Sequence, residues 1–156
     1  MVNPVQQRRV KDVMSRDIVS LPAEATIHEA LAMMTKNRVS ALPIVDRHNH
    51  CAGIFTTTDL LDVTWDVDDD VHQIDVVDPT SRRLLVDKLV ESLGNETVAS
   101  YMSEDVSTVN SEATLAIAAR YMLQSQVHRL PVVDDEDRLV GIISTTDILA
   151  EYADGV

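Results

Sequence analysis

Gly141–Asp147 reads GIISTTD and Gly53–Asp59 reads GIFTTTD, so a seven-residue stretch occurs twice in a chain of 156 residues. The two copies lie 141 − 53 = 88 residues apart. Sliding the chain over itself by 88 residues aligns 10–62 with 98–150 without a gap, and about 20 of the 53 aligned positions are identical. The match indicates one structural unit used twice. A unit this small has a marginal core, so we expect the two copies to pack on each other.

Each copy of the repeat has the pattern of a β-α-β-β-α unit. Thr26 is a plausible N-cap with Glu29 three residues later, the spacing of a capping box, and apolar residues then follow at helical spacing to Lys36. In the first copy the pattern predicts strands over 17–21, 39–45 and 51–56, and a helix that starts at Thr57 or Thr58. In the second copy it predicts strands over 106–109, 127–133 and 139–144, and helices over 114–124 and 145–152. The predicted fold class is α+β, with the two units related by a pseudo-two-fold axis.

The repeat divides the chain into four regions. We expect a flexible tail over 1–9, a first domain over 10–65, an acidic linker with a helix over 66–96, and a second domain over 97–153. The run DVDDD at 66–70 is interpreted as a solvated linker in preference to a divalent-metal site. Leucines at helical spacing predict a linker helix that ends at Gly94.

Composition favours a soluble, cytoplasmic protein. No apolar run approaches the roughly 18 residues of a membrane span, and the N-terminal MVNPVQQRR has no signal-peptide core. The single cysteine, Cys51, cannot form an internal disulfide and is expected to fill a strand rather than to act as a nucleophile.

The charge is strongly negative. Asp and Glu number 26 against 13 for Lys and Arg, a formal net charge of −13, and Lys11, Lys36 and Lys88 are the only lysines. Such a surface repels nucleic-acid phosphates, so we expect no nucleic-acid partner. The scarcity of lysine favours adaptation to a salt-rich cytoplasm, where salt screens the self-repulsion. An anionic ligand would need a local basic pocket.

The motifs resemble those of a known family. A Leu-Pro pair before a hairpin turn, followed by a glycine, apolar residues and a Thr-Thr-Asp helix start, resembles a CBS domain. Two such units in tandem resemble the Bateman module. NRVSALPIVD at Asn37–Asp46 and HRLPVVD at His128–Asp134 are similar to repeats in the gamma subunit of AMP-activated protein kinase. The similarity covers about two thirds of the chain. With no barrel or kinase sequence attached, it implies a stand-alone module.

The repeated motif suits an anion and a sugar. Free N–H groups at a helix start favour an anion, and the hydroxyls of Thr56 and Ser144 could reach a phosphate. The carboxylates of Asp59 and Asp147 can accept hydrogen bonds from a ribose diol. The resemblance assigns the same roles. The alternative is that these residues only cap a helix.

A second candidate region precedes each Leu-Pro pair. Arg129 offers a planar fork of donors for phosphate oxygens, and His128 adds another donor. The alternative for Arg129 is a salt bridge to one of the many aspartates. The first copy has Ser40 and Ala41 at the matching positions, so we expect the two sites to be unequal. The complete set of predicted nucleotide-binding residues is Ser20, Arg38, Ser40, Ala41, Thr56, Thr58, Asp59, Thr108, His128, Arg129, Ser144, Thr146 and Asp147.

Together with the resemblance, these observations predict a regulatory module that senses an adenine nucleotide (AMP, ADP or ATP) in the clefts between its two units, with no enzymatic activity and no required cofactor. The alternatives are a dimerising interaction module without a ligand, and a module that binds S-adenosylmethionine. The resemblance implies a homodimer and a regulated partner protein, without nucleic acid or membrane. His48 and His50 in a hairpin turn lack the further ligands of a metal site.

Overall fold

The computed structural model describes residues 4–59, 91 and 94–154. The acidic run at 66–70 lies outside these residues, as does the predicted linker helix apart from Glu91, which is helical. The elements with described bounds are, in chain order, α1 Pro4–Gln7, α2 Val10–Val13, β1 Leu21–Pro22, α3 Ile27–Asn37, β2 Ala41–Val45, β3 Cys51–Thr56, a 3₁₀ turn at Val98–Ser100, β4 Val109–Asn110, α4 Leu115–Ser125, β5 Arg129–Val133, β6 Leu139–Ser144 and α5 Thr145–Asp154.

Two three-stranded sheets carry the fold, which confirms the α+β class. One sheet has the strand order β1-β2-β3 and the other has the order β4-β5-β6. In the second sheet, β4 runs parallel to β5 and β5 runs antiparallel to β6. The two sheets use equivalent segments of the repeat, as the β-α-β-β-α pattern predicts.

The chain forms two compact units, and each unit combines segments from both copies of the repeat. We call Val19–Ile44 with Ala52–Glu104 the first-repeat unit, after its main component. We call Met1–Ile18, Val45–Cys51 and Asp105–Val156 the second-repeat unit. The units therefore divide the chain differently from the sequence repeat.

Local sequence explains where the long helices start. Thr26 Oγ1 accepts a hydrogen bond from the backbone N–H of Glu29 (3.1 Å), and a Glu29 carboxylate oxygen accepts one from the N–H of Thr26 (3.3 Å). This confirms the capping box at α3, whose buried face contains Ile27, Ala30 and Met34. At α4, Thr114 is the N-cap and accepts from the N–H of Ile117 at 3.4 Å, without a reciprocal partner.

Each unit has its own hydrophobic core. The fully buried side chains of the first-repeat unit include Phe55, Leu42 and Ile44. Those of the second-repeat unit include Leu130, Val132 and Ile143. At about 1.5–3 kcal/mol per buried apolar side chain, such clusters are the main favourable contribution to the stability of each unit.

Each hydrophobic core is completed by a segment from the other copy of the repeat, an arrangement that we call segment exchange. Val10 is fully buried in the second-repeat unit, although it belongs to the first copy of the repeat. Val98, the equivalent residue of the second copy, is fully buried in the first-repeat unit. The following residues then pair with the sheet of the same unit. The backbone of Ser15 pairs with Ile142 through hydrogen bonds of 2.9 and 3.0 Å, and Ser103 pairs with Ile54 at 2.9 and 3.0 Å.

The first strand of each copy is shorter than predicted. Strands were expected over 17–21 and 106–109, whereas β1 is Leu21–Pro22 and β4 is Val109–Asn110. The boundary between the units falls between Ile18 and Val19, and again between Glu104 and Asp105. The residues predicted as strands are therefore largely connections between the units, and only their last part joins a ladder.

The described part of the predicted N-terminal tail forms structure. Pro4–Gln7 is a short helix, and the N–H of Leu115 donates to the carbonyl of Arg8 at 2.9 Å. Arg8 also pairs with the Glu151 carboxylate, and the Arg9 guanidinium donates to the carbonyl of Glu112 at 2.7 Å. Among the helices formed by the described residues, none has the length and apolar character needed to cross a membrane.

Candidate functional site

Predicted site residues of the second copy meet at one edge of its sheet, which we call the second-repeat edge. It consists of His128, Arg129 and 144–147, and the structure does not place the predicted residue Thr108 with them. Arg129 begins β5 and is the direct pairing partner of Ser144, which ends β6. Thr108 lies just before β4, in which Val109 pairs with Val132, so Thr108 lies beside the middle of β5 rather than beside Arg129. The helix α5 starts there at Thr145.

The start of α5 is fixed by hydrogen bonds at this edge. The N–H of Ser144 donates to Asp147 Oδ2 at 2.9 Å, and the N–H of Asp147 donates to Ser144 Oγ at 3.1 Å. The N–H and the hydroxyl of Thr145 both donate to the carbonyl of His128, at 2.9 and 3.2 Å. The capping role considered as an alternative for Ser144 and Asp147 is therefore present.

Capping leaves part of this edge available. It uses Oδ2 of Asp147, and no residue of the described chain donates to Oδ1. Thr146 is exposed. A carboxylate oxygen can accept two hydrogen bonds, so Asp147 can cap α5 and still accept from a bound hydroxyl group.

The side chains of Arg129 and His128 at the second-repeat edge are exposed. Within residues 4–59, 91 and 94–154, neither the Arg129 guanidinium nor the His128 ring forms a hydrogen bond or an ion pair. Other arginines do pair: Arg138 contacts Asp134 at 2.9 Å. The salt bridge considered as an alternative for Arg129 is not found among these residues, so its donors remain available to a ligand.

The equivalent residues of the first copy form the first-repeat edge, which consists of Ser40, Ala41 and 56–59. Of the other predicted residues, Ser20 lies just before β1 and Arg38 caps α3. The N–H of Thr57 donates to the carbonyl of Ser40 at 3.0 Å, which joins the end of β3 to the start of β2. Asp59 Oδ2 accepts from the N–H of Thr56 (2.8 Å) and from its hydroxyl (3.2 Å). The N–H of Asp59 donates back to Thr56 Oγ1 at 3.2 Å.

Arg38 is the arginine among the predicted site residues of the first copy, and its position differs from that of Arg129. It is the C-cap of α3 in the left-handed region, with φ of 54°. Its counterpart is Gln126, the C-cap of α4, with φ of 56°. The guanidinium of Arg38 is exposed and has no partner within the described part of the chain. Arg38 thus has the same left-handed backbone conformation as Gln126. The arginine of the second copy, Arg129, lies three residues after Gln126.

Sequence reasoning missed Ser103. Its hydroxyl donates to Asp59 Oδ1 at 3.4 Å, so it lies next to the candidate ribose-binding carboxylate. A signal was available, because Met14-Ser15 and Met102-Ser103 are identical in the two copies. The identity of these residues could not be interpreted from the sequence. It does not show that the Met-Ser segment of each copy pairs beside the glycine motif of the other copy.

The glycine of each motif allows this close pairing. A Cβ added at Gly141 would lie 2.9 Å from the carbonyl oxygen of Ser15 and 2.5 Å from the sulfur of Met14. A Cβ at Gly53 would lie 2.8 Å from the carbonyl oxygen of Ser103 and 2.7 Å from the sulfur of Met102. Real Cβ atoms essentially never approach other atoms this closely. The motif glycines thus serve the packing of the exchanged segments.

The two hairpin turns carry the clearest electrostatic signature. Asp46 Oδ1 accepts from the N–H groups of His48 (2.8 Å) and His50 (2.9 Å). The bond from the His50 N–H holds the pKa of Asp46 below its ordinary value, and the corresponding bond from Arg138 lowers the pKa of Asp134. These aspartates organise turns. Within the described residues there is no group of three or more His, Cys, Asp or Glu placed to hold a metal ion.

An apolar groove adjoins the second-repeat edge. It lies between α4 and α5, has a volume of about 570 Å³, and shares His128 and Thr145 with that edge. Its large apolar side chains are unusually exposed, 79% for Leu123 and 62% for Leu149. The groove is suited to an apolar partner surface rather than to a nucleotide phosphate.

Comparison with known proteins identifies the repeat. The CBS domain pattern matches residues 10–66 and again residues 98–154. An uncharacterised protein of Methanocaldococcus jannaschii is 27% identical over 149 residues, which cover 90% of this chain and 88% of that protein.

Two solved structures have the same fold. The CBS domain pair of protein MJ0100, in complex with 5′-methylthioadenosine and S-adenosyl-L-methionine, superposes with a TM-score of 0.68 at 24% identity and covers 96% of this chain and 99% of that one. CBSX2 of Arabidopsis thaliana in complex with AMP superposes with a TM-score of 0.71 at 22% identity and covers 94% of this chain and 96% of that one. Since the family pattern matches most of the sequence in two tandem copies, the chain belongs to the CBS domain family.

Proposed function

We propose that this chain is a regulatory module whose second-repeat edge binds an adenine nucleotide. The observation that carries the proposal is the pair of exposed side chains of Arg129 and His128 beside the start of α5. Neither has a partner among the described residues. In a chain of net charge −13 with 26 acidic residues, an exposed arginine next to a histidine at the start of α5 forms a local site of donors that suits a bound anion.

The edge offers complementary contacts to phosphate and ribose. The Arg129 fork suits two phosphate oxygens, and the positive end of the α5 dipole favours the same charge. The hydroxyls of Ser144 and Thr146 can donate to phosphate. Asp147 Oδ1 can accept from a ribose hydroxyl while Oδ2 caps the helix. We assign the phosphate to Arg129 and the ribose to Asp147.

The preference for adenine is supported by the AMP complex of the Arabidopsis relative, which has the same fold. The MJ0100 complex favours a second candidate, S-adenosylmethionine. The two ligands differ where this edge is most distinctive, because S-adenosylmethionine has an adenosine ribose but no phosphate. Arg129 should therefore matter for AMP and much less for S-adenosylmethionine.

We propose that the module acts by binding rather than by catalysis. A bound nucleotide changes the geometry of the protein only through a difference in its affinity for two states. Nucleotide levels would then be reported to a partner protein, as an energy sensor in a salt-rich cytoplasm.

We also propose that the apolar groove between α4 and α5 binds a second copy of the chain. Leu123 and Leu149 are both exposed and line the same groove, and contiguous exposed apolar surface is typical of protein-interaction sites. Replacing Leu149 with Glu should shift the protein toward monomer in sedimentation experiments, and a dimer that persists would contradict this arrangement. A groove that pairs copies would also serve the alternative function, a dimerising module without a ligand.

Calorimetric titration separates these functions. Folded protein in molar potassium chloride is titrated with AMP, ADP, ATP and S-adenosylmethionine, because salt screens the self-repulsion of the acidic chain. Replacing Arg129 with Ala should weaken AMP binding at least about tenfold, given that a hydrogen bond to a charged group contributes about 1.5–3 kcal/mol. Asp147→Asn keeps an acceptor for the helix cap and should weaken AMP and S-adenosylmethionine alike.

The matched control is Arg138→Ala, which removes an exposed arginine that already pairs with Asp134 at a hairpin turn. Its affinity for AMP should equal that of the wild type. If folded wild-type protein shows no saturable binding to any of the four ligands, the sensor function is wrong and the interaction module remains.

A further inference from the structure

The two edges differ in one contact that their shared motif does not predict. In the first-repeat unit, Ser103 Oγ donates to Asp59 Oδ1 at 3.4 Å. The other oxygen of Asp59 already accepts from the N–H and the hydroxyl of Thr56. Both oxygens of this carboxylate are therefore engaged within the protein.

Ser15 is the equivalent of Ser103, yet its hydroxyl makes no such contact. The same two backbone hydrogen bonds hold each serine beside its sheet, Ser15 to Ile142 and Ser103 to Ile54. In the described part of the second-repeat unit, no residue donates to Asp147 Oδ1. Ser15 and Ser103 thus have equivalent backbone positions, but Asp59 Oδ1 accepts a hydrogen bond from its serine whereas Asp147 Oδ1 accepts from no described residue.

We infer that Ser103 is a positioning residue that occupies the ribose-facing oxygen of Asp59 and so makes the first-repeat edge the weaker nucleotide site. This inference rests on the proposed function. A ribose hydroxyl that approaches Asp59 must replace the bond from Ser103, whereas at Asp147 no described residue donates to Oδ1. The antiparallel bridge to Ile54 holds the backbone of Ser103 beside its sheet. The serine hydroxyl therefore stays near Asp59 and competes with a ribose hydroxyl for the carboxylate.

The contact predicts that removing the Ser103 hydroxyl raises the AMP affinity of the first-repeat edge by a small factor. A distance of 3.4 Å is long for a bond between oxygens, so we expect about a threefold change in affinity. To isolate the first-repeat edge, Arg129→Ala protein is titrated with AMP at concentrations that reveal the residual site. Adding Ser103→Ala should raise the residual affinity about threefold, while Ser15→Ala should leave it unchanged. Ser103→Thr keeps the hydroxyl and should restore the affinity of the Arg129→Ala parent.

A second readout requires no nucleotide. The carboxyl ¹³C resonance of Asp59 should move in Ser103→Ala protein, and that of Asp147 should stay in place in Ser15→Ala protein. If Ser103→Ala leaves both the Asp59 resonance and the residual AMP affinity unchanged, the inference is overturned while the proposed function stands. If no variant and no wild-type protein binds AMP, the proposed function and this inference fall together, whatever the resonance does.

Discussion

The second-repeat edge and the first-repeat edge share a scaffold but differ in chemistry. Both place a hydroxyl residue at the end of a strand and an aspartate three residues later, and both use that pair to cap a helix. At the start of the facing strand, one edge has His128 and Arg129, whereas the other has Ser40 and Ala41.

The comparison separates residues that maintain the fold from residues that we propose select a ligand. The motif glycines and the helix-capping aspartates recur in both copies, because each unit needs the same close pairing and the same helix start. The His128-Arg129 pair occurs in one copy only, so the fold does not require it. A duplicated unit can therefore keep its architecture while only one copy holds the stronger anion site.

The largest effect should come from the shared scaffold. Gly141→Ala and Gly53→Ala should each destabilise the protein by about 2–3 kcal/mol, the range expected for overpacking. The added methyl group would meet the backbone carbonyl of Ser15 in one unit and of Ser103 in the other. Urea unfolding measures the change.

Met14→Ala in the Gly141→Ala background is the control for the sulfur contact. It removes the sulfur but leaves the carbonyl clash, so it should not restore wild-type stability. Two alanine variants as stable as the wild type would show that the exchanged segments do not pack as described.

A smaller difference should separate the helix starts. Thr26→Ala removes a reciprocal capping box, and Thr114→Ala removes a single bond of 3.4 Å. We expect a loss of about 1 kcal/mol for Thr26→Ala and about 0.5 kcal/mol for Thr114→Ala. Chemical denaturation of both variants provides the measurement, with Thr35→Ala on an exposed face of α3 as the control. Equal losses would contradict the role given to Glu29.

The smallest effect concerns acid stability. The backbone N–H groups of His50 and Arg138 lower the pKa values of Asp46 and Asp134 below 3.8. A carboxyl group with a depressed pKa stabilises the fold above its unfolded value, and that contribution is lost as the pH falls through the folded value. Asp134→Asn should therefore flatten the loss of stability below pH 3.8 without changing the fold at neutral pH. An acid-unfolding curve identical to that of the wild type would contradict this assignment.

Much of the architecture was predictable because the repeat reports the same structure twice. The bounds of β3 and β6 agree with prediction, and the Thr26 capping box starts α3 where its spacing indicates. The segment exchange was not predictable, because residues 10–18 have the same pattern whichever copy they pack against. Nor could sequence show that Arg129 has no ion-pair partner within 4–59, 91 and 94–154, since the chain contains many aspartates.

The most direct measurement is an NMR titration of the ¹⁵N-labelled protein with AMP in molar potassium chloride. Our account predicts that backbone resonances of 128–129 and 144–147 shift first and saturate, and that those of 38–41 and 56–59 follow only at higher AMP concentration. Simultaneous shifts at both edges would contradict the proposed inequality. No shift at 128–129 and 144–147 would contradict the assignment of the nucleotide to the second-repeat edge.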